Sequence, residues 1–199
     1  MIQINGINKI SPRTIGGGQV TYDDLLVNIT LGRIPTGSAA AWTDIELITG
    51  FTTQLMAFQP NDYVDLFVQT NHSVALSTII DNHIHWTMTV AGATSDNGKE
   101  IAWELKGCGA PIDGTWTTIG TITSPDYAIV TADGLKHKYF EIGHIADTFN
   151  TTVSTCFVIR LKRIAPADGT ASTQLAFLVF NDCHVQLNSF GSLNETTKT

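Results

Sequence analysis

Short stretches of alternating apolar and polar residues recur along most of this chain, and none repeats its apolar residues convincingly at helical spacing. Alternation sends successive side chains to opposite sides of an extended strand, so each strand has one face to bury and one to leave in water. Strands are predicted at Tyr22–Ile29, Ile45–Ile48, Leu55–Phe58, Tyr63–Gln69, His83–Val90, Glu100–Lys106, Trp116–Ile122, Lys138–Ile145, Thr155–Arg163 and Gln174–Leu187. Turn residues punctuate them, as in Asp96-Asn97-Gly98, Ile112-Asp113-Gly114, Ala132-Asp133-Gly134 and Ala167-Asp168-Gly169. Asn97-Gly98 between two alternating runs signals a hairpin. The nearest thing to a helix, Tyr127–Asp133, is hemmed in by Pro125 and Gly134. Many short strands without helices point to an all-β protein, an antiparallel jelly-roll β-sandwich.

Asp81–Val90 is the stretch richest in chemistry. Ile84, Trp86, Met88 and Val90 share its apolar face, while His83, His85, Thr87 and Thr89 share the other. Two histidines at i and i+2 thus project together from one side of a sheet. They suit a metal centre, with His184 from a late strand as a third ligand. They equally suit hydrogen bonding at a half-buried face or a subunit contact. A metal site of two histidines and one carboxylate wants an acid soon after His85. Trp86–Ala91 supplies none, Asp96 falls in a turn and Glu100 opens the next strand. His83, His85 and His184 are therefore weak metal candidates and better candidates for a subunit interface. No cofactor is expected.

Other chemistries leave no trace. The chain lacks a G-x-S-x-G elbow, a phosphate loop, H-E-x-x-H and C-x-x-C. Gly16-Gly17-Gly18 is followed by Gln19-Val20 rather than lysine and a helix. A net charge of −7 argues against a nucleic-acid surface. The basic cluster Arg160, Lys162 and Arg163 is interleaved with Ile159, Leu161 and Ile164, which reads as a strand with a solvated face. No run approaches the ~18 apolar residues of a membrane span. The first residues lack signal-peptide order, so a cytoplasmic site of synthesis is expected. Cys108, Cys156 and Cys183 are odd in number and lie in strand-like contexts, which favours buried free thiols.

Residues 1–35 do not read as part of a domain. Ile2, Ile4, Ile7, Ile10 and Ile15 are scattered among polar residues and then interrupted by three glycines. They suggest an arm that buries itself against another polypeptide, ahead of a jelly-roll domain at 36–199. Of the tryptophans, Trp86 and Trp103 fall on apolar faces and are expected in the core. Trp42 and Trp116, in loop-like contexts, remain open to stacking on a sugar, as in a carbohydrate-binding module that would recognise a host surface glycan.

The order of several motifs resembles a family of tailed-bacteriophage virion proteins. These are Tyr22-Asp23-Asp24-Leu25, Phe67-Val68-Gln69-Thr70-Asn71-His72, His83-Ile84-His85-Trp86, Glu100–Leu105, Ile112–Trp116 and the closing Phe177–Ser192 with its Asp182-Cys183-His184 step. Asn82 stands where the family commonly has proline, and Val185 where it has an aromatic residue. The resemblance spans roughly Tyr22 to Lys198. It implies a non-enzymatic structural protein of the virion, a head fibre, capsid decoration or tail component, assembled in the bacterial host cytoplasm. It also implies a jelly roll that forms homotrimers and docks through its arm, with Ile2, Ile4, Ile7, Ile10 and Ile15 as anchor, onto capsid, portal or tail proteins. The competing classes are a cupin-like metal-dependent enzyme and the carbohydrate-binding module.

Overall fold

The computed structural model describes residues 21–27, 29–146, 152 and 154–187. Eleven strands fill it: β1 (Thr21–Val27), β2 (Ala41–Ile48), β3 (Phe51–Phe58), β4 (Tyr63–Gln69), β5 (Ile80–Thr87), β6 (Glu100–Ala110), β7 (Thr117–Thr123), β8 (Tyr127–Ala128), β9 (Lys138–Ile145), β10 (Cys156–Ile164) and β11 (Ala176–Leu187). One sheet has the order β2-β3-β11-β5-β9, and β1 also pairs with β11; the second runs β4-β10-β6-β7, with β8 beside β6. Every pairing between these strands is antiparallel. Within this order, β3-β11-β5-β9 faces β4-β10-β6-β7, and most successive strands cross from one sheet to the other. That is the double Greek key of an antiparallel jelly-roll β-sandwich. The expected fold class is what the chain adopts.

The inner faces meet in a core that includes Phe58, Leu66, Ile84, Trp86, Met88, Ile101, Trp103, Leu105, Phe157, Ile159, Leu161 and Val185. Trp86 and Trp103 are buried as their alternation predicted. Phe58 meets Trp103 edge-to-face at 5.3 Å.

Several local expectations are corrected. β5 ends at Thr87, and Val90–Ser95 forms a short helix, α1, whose N-cap Thr89 accepts a hydrogen bond from the Gly92 N–H at 2.9 Å. Asn97-Gly98 makes a turn, with Gly98 at φ +80°, but not a hairpin. Both edges of β5 are already taken by β11 and β9, so the chain beyond the turn enters the other sheet. Trp42 lies within β2 rather than in a connection. Cys183 is buried, but Cys156 is exposed and Cys108 half-buried; all three are free.

Arg163 is the largest departure. It shares parity with Phe157, Ile159 and Leu161 and is 1 % exposed, so it belongs to the core face of β10 and not to a solvated one. Its guanidinium donates to the carbonyls of Phe58, Gln174 and Ser172 and to the Ser172 hydroxyl. That hydroxyl donates in turn to buried Asp96, which also accepts from the Thr173 and Gln174 N–H groups and from Lys99. Burial pulls Arg163 down to about 10. Burial would raise Asp96, but its four hydrogen-bond partners outweigh it and hold the carboxyl at about 2.

The arm expected at 1–35 meets the described residues only from Thr21 onward. There Thr21–Val27 pairs residue for residue with Leu187–Asn181, and Ile29 is buried in the core, so this part is integral to the sandwich. Ile2, Ile4, Ile7, Ile10 and Ile15 lie outside the described residues.

Candidate functional site

The site lies on the outer face of the six-stranded sheet, where β1, β11, β5 and β9 run side by side. Two register shifts set which side chains reach it. Between Leu178 and Phe180 the pairing of β11 with β5 slips by one residue. The slip flips the parity of the strand, so Phe180, Asp182 and His184 point outward while Cys183 and Val185 enter the core. A second shift lies opposite Asn82 and His83, where β9 carries an extra residue and Gly143 adopts φ +143°. A Cβ on Gly143 would stand 2.7 Å from the Ile122 side chain, which explains the glycine. This shift places His144 opposite Asp81, with which it pairs.

Register then brings the functional side chains together. His83 lies opposite Asp182, and Asp24 opposite His184. Directly beneath, on the core side, Asn82 and Asn181 exchange amide hydrogen bonds at 3.3 and 3.1 Å, and Asn181 also donates to the His83 carbonyl. Asn82 also donates to the Asp182 carbonyl, so every partner of this buried pair lies on β5 or β11, and a slip of one strand against the other would break the set.

His83 and Asp182 are only 2 % and 3 % exposed, although they occupy the outer face. His83 Nδ1 stands 3.8 Å from Asp182 Oδ1, and His85 Nε2 stands 3.5 Å from the same oxygen. The His184 ring packs edge-on against His83 with centroids 4.0 Å apart, and its Nε2 meets Asp24 Oδ1 at 2.5 Å. His85 stacks on Phe180 at 4.0 Å and shares a hydrogen bond with His137 across 2.7 Å. Tyr139 closes one side, 4.8 Å from His83 and 5.6 Å from His85. Burial, and next the neighbouring His184, hold the His83 imidazole below its ordinary value; burial does the same to His85. Burial thus favours the neutral form of both rings, in which one ring nitrogen carries a lone pair.

The three histidines singled out from sequence thus do converge. Their carboxylate comes not from the residues after His85 but from across the sheet, as Asp182. Asp24, His137, Tyr139 and Phe180 also escaped the reading as site members. Asp182 and Asp24 stood in the quoted motifs, but only the register of β1, β11 and β5 shows that they face the histidines. Tryptophan, by contrast, forms no common platform. Trp42 is 39 % exposed on a strand of the six-stranded sheet, and Trp116 is 52 % exposed beside β7 of the other.

No protein-family model matches the sequence, and no curated protein matches it. Solved structures similar to it include a chain of infectious bursal disease virus, Gt strain, at 11 % identity and TM-score 0.40, over 97 % of this chain and 39 % of that one. A chain of the Gx strain is similar at 13 % identity and TM-score 0.35, over 80 % and 32 % respectively. TmCBM61 in complex with β-1,4-galactotriose is similar at 8 % identity and TM-score 0.27, over 84 % and 88 %. The chain spans well under half the length of the virus chains it matches.

Proposed function

We propose that this chain is a non-enzymatic structural component of a bacteriophage particle, a head-fibre, decoration or tail-associated jelly roll that assembles as a homotrimer. One observation carries the reading. Three motifs that underlie the resemblance to phage virion proteins, far apart in sequence, lie on β1, β5 and β11, adjacent strands of one sheet. Their polar side chains, Asp24, His83, His85, Asp182 and His184, gather on a single patch of the outer face. Motif residues scattered through a core would serve folding alone; motif residues gathered on one outer face serve something that face meets.

The rim of the patch supports contact with protein. Tyr22, Leu26 and Tyr139 are large, apolar or aromatic, and more than half exposed. Large exposed side chains around a poorly hydrated centre are the anatomy of an interface. The occupant we assign is a second copy of the same chain. Residues ahead of Thr21, with the five early isoleucines, are the part we assign to docking on a capsid, portal or tail protein.

The test is co-sedimentation of the purified full chain with particles that lack it. The full chain is expected to bind and to appear among the proteins of purified wild-type particles. A chain without residues 1–15 is expected to keep its β-sheet circular dichroism and stay in the supernatant. Absence of the chain from purified particles would overturn the reading.

A further inference from the structure

We propose that His83, Asp182 and His184 form a binding site for one divalent transition-metal ion of the zinc class. The site does not depend on the chain being a virion component. One ligand atom from each residue lies within 4.8 Å of the other two. Bonds of 2.0–2.1 Å in tetrahedral geometry put ligand atoms about 3.3 Å apart, so closing the set takes roughly an ångström of side-chain rotation. The backbone needs no movement, because His83 is paired opposite Asp182 and His184 follows two residues later on the same face.

A second observation points to a ligand. His83 Nδ1 and Asp182 Oδ1 are both buried, and neither has a hydrogen-bond partner. Leaving such groups unmade costs on the order of 1–3 kcal/mol each. They face one another at 3.8 Å, too far for a hydrogen bond and close to the spacing of two ligands on one ion. An ion between them satisfies both at once.

The surroundings have the form that metal centres use. Asp24 holds the His184 ring, and His137 holds the Nδ1 side of His85, whose Nε2 looks toward Asp182. Outer partners of this kind fix ring orientation and tune ligand basicity. Two imidazoles and a carboxylate select a first-row transition metal over calcium or magnesium, which take oxygen ligands. Cys183 is not a donor: it lies on the core face, and burial pushes its thiol up to about 12.

The experiment uses the full chain without a histidine tag, stripped by chelator and titrated with zinc chloride in a calorimeter, with cobalt(II) as a spectroscopic stand-in. One ion per chain is expected, and a cobalt spectrum with ligand-field bands but no thiolate charge-transfer band. His184→Gln, at the exposed edge of the site, should weaken zinc at least tenfold while the fold remains intact. Asp24→Ala should weaken it about 10–100-fold, as for an outer-sphere partner. His72→Gln, outside the cluster, should change nothing. No saturable binding up to millimolar zinc, a thiolate band, or unchanged affinity in His184→Gln would each overturn the proposal.

Discussion

Two buried polar clusters sit in the same sandwich and are built on opposite terms. Around Arg163 and Asp96, donors and acceptors are matched: four guanidinium bonds, a serine bridge, two backbone amides and a lysine. Around His83 and Asp182, two buried atoms face each other without a bond. The first cluster ties β10 to the end of β3, to the segment before β11 and, through Ser172, to Asp96 at the C-cap of α1. The second lies over an amide pair that already fixes the register of β5 against β11. A satisfied buried cluster is there for the fold. One left open on an outer face is kept for something that arrives later.

The contrast can be broken most forcefully at Arg163. Arg163→Leu strands three carbonyls and removes a buried charge from a complete network, so a loss of about 3–5 kcal/mol is expected in urea unfolding. A loss under about 1 kcal/mol would erase the distinction between the clusters. Next in size is the acid limb. The Asp96 carboxyl sits at about 2 in the folded chain against an ordinary 3.8, so its contribution is whole above the ordinary value and is lost as pH falls through about 2. By linkage that contribution is about 2 kcal/mol. It should vanish from the pH dependence of stability in Asp96→Asn, measured by unfolding between neutral pH and strong acid.

Ser172→Ala cuts the bridge between Arg163 and Asp96 and should cost about 1–2 kcal/mol. The smallest effect is expected at the open cluster. In metal-free protein, replacing both His83 and Asp182 by leucine removes two unsatisfied groups together. It should leave stability within about 1 kcal/mol of wild type, or raise it. A loss as large as that of Arg163→Leu would show that the histidine face holds the fold after all.

The sequence made the sandwich legible because alternation is a local property: His83–Thr87, Glu100–Lys106 and Phe157–Leu161 announce their buried faces without reference to any partner. It misjudged Arg163 because composition suggested a basic surface, although parity already aligned that residue with Phe157, Ile159 and Leu161. It missed α1 because Thr89 continues the alternation of β5 and only its side-chain bond to Gly92 marks it as a cap. The three histidines were visible from type and spacing. Their carboxylate was not, because which residue of β11 faces His83 depends on a one-residue slip at Val179 that no local pattern records. Asp24 was hidden for the same reason, one strand further out.

The most direct test of the claim that the outer-face cluster serves assembly, and not folding, is the sedimentation-equilibrium mass of the full chain beside that of His85→Gln/His184→Gln at equal concentration. Wild type should sediment as three chains. The variant should sediment as fewer, with an unchanged far-ultraviolet circular dichroism spectrum. A wild-type chain that is monomeric, or a variant with the wild-type mass, would contradict the account.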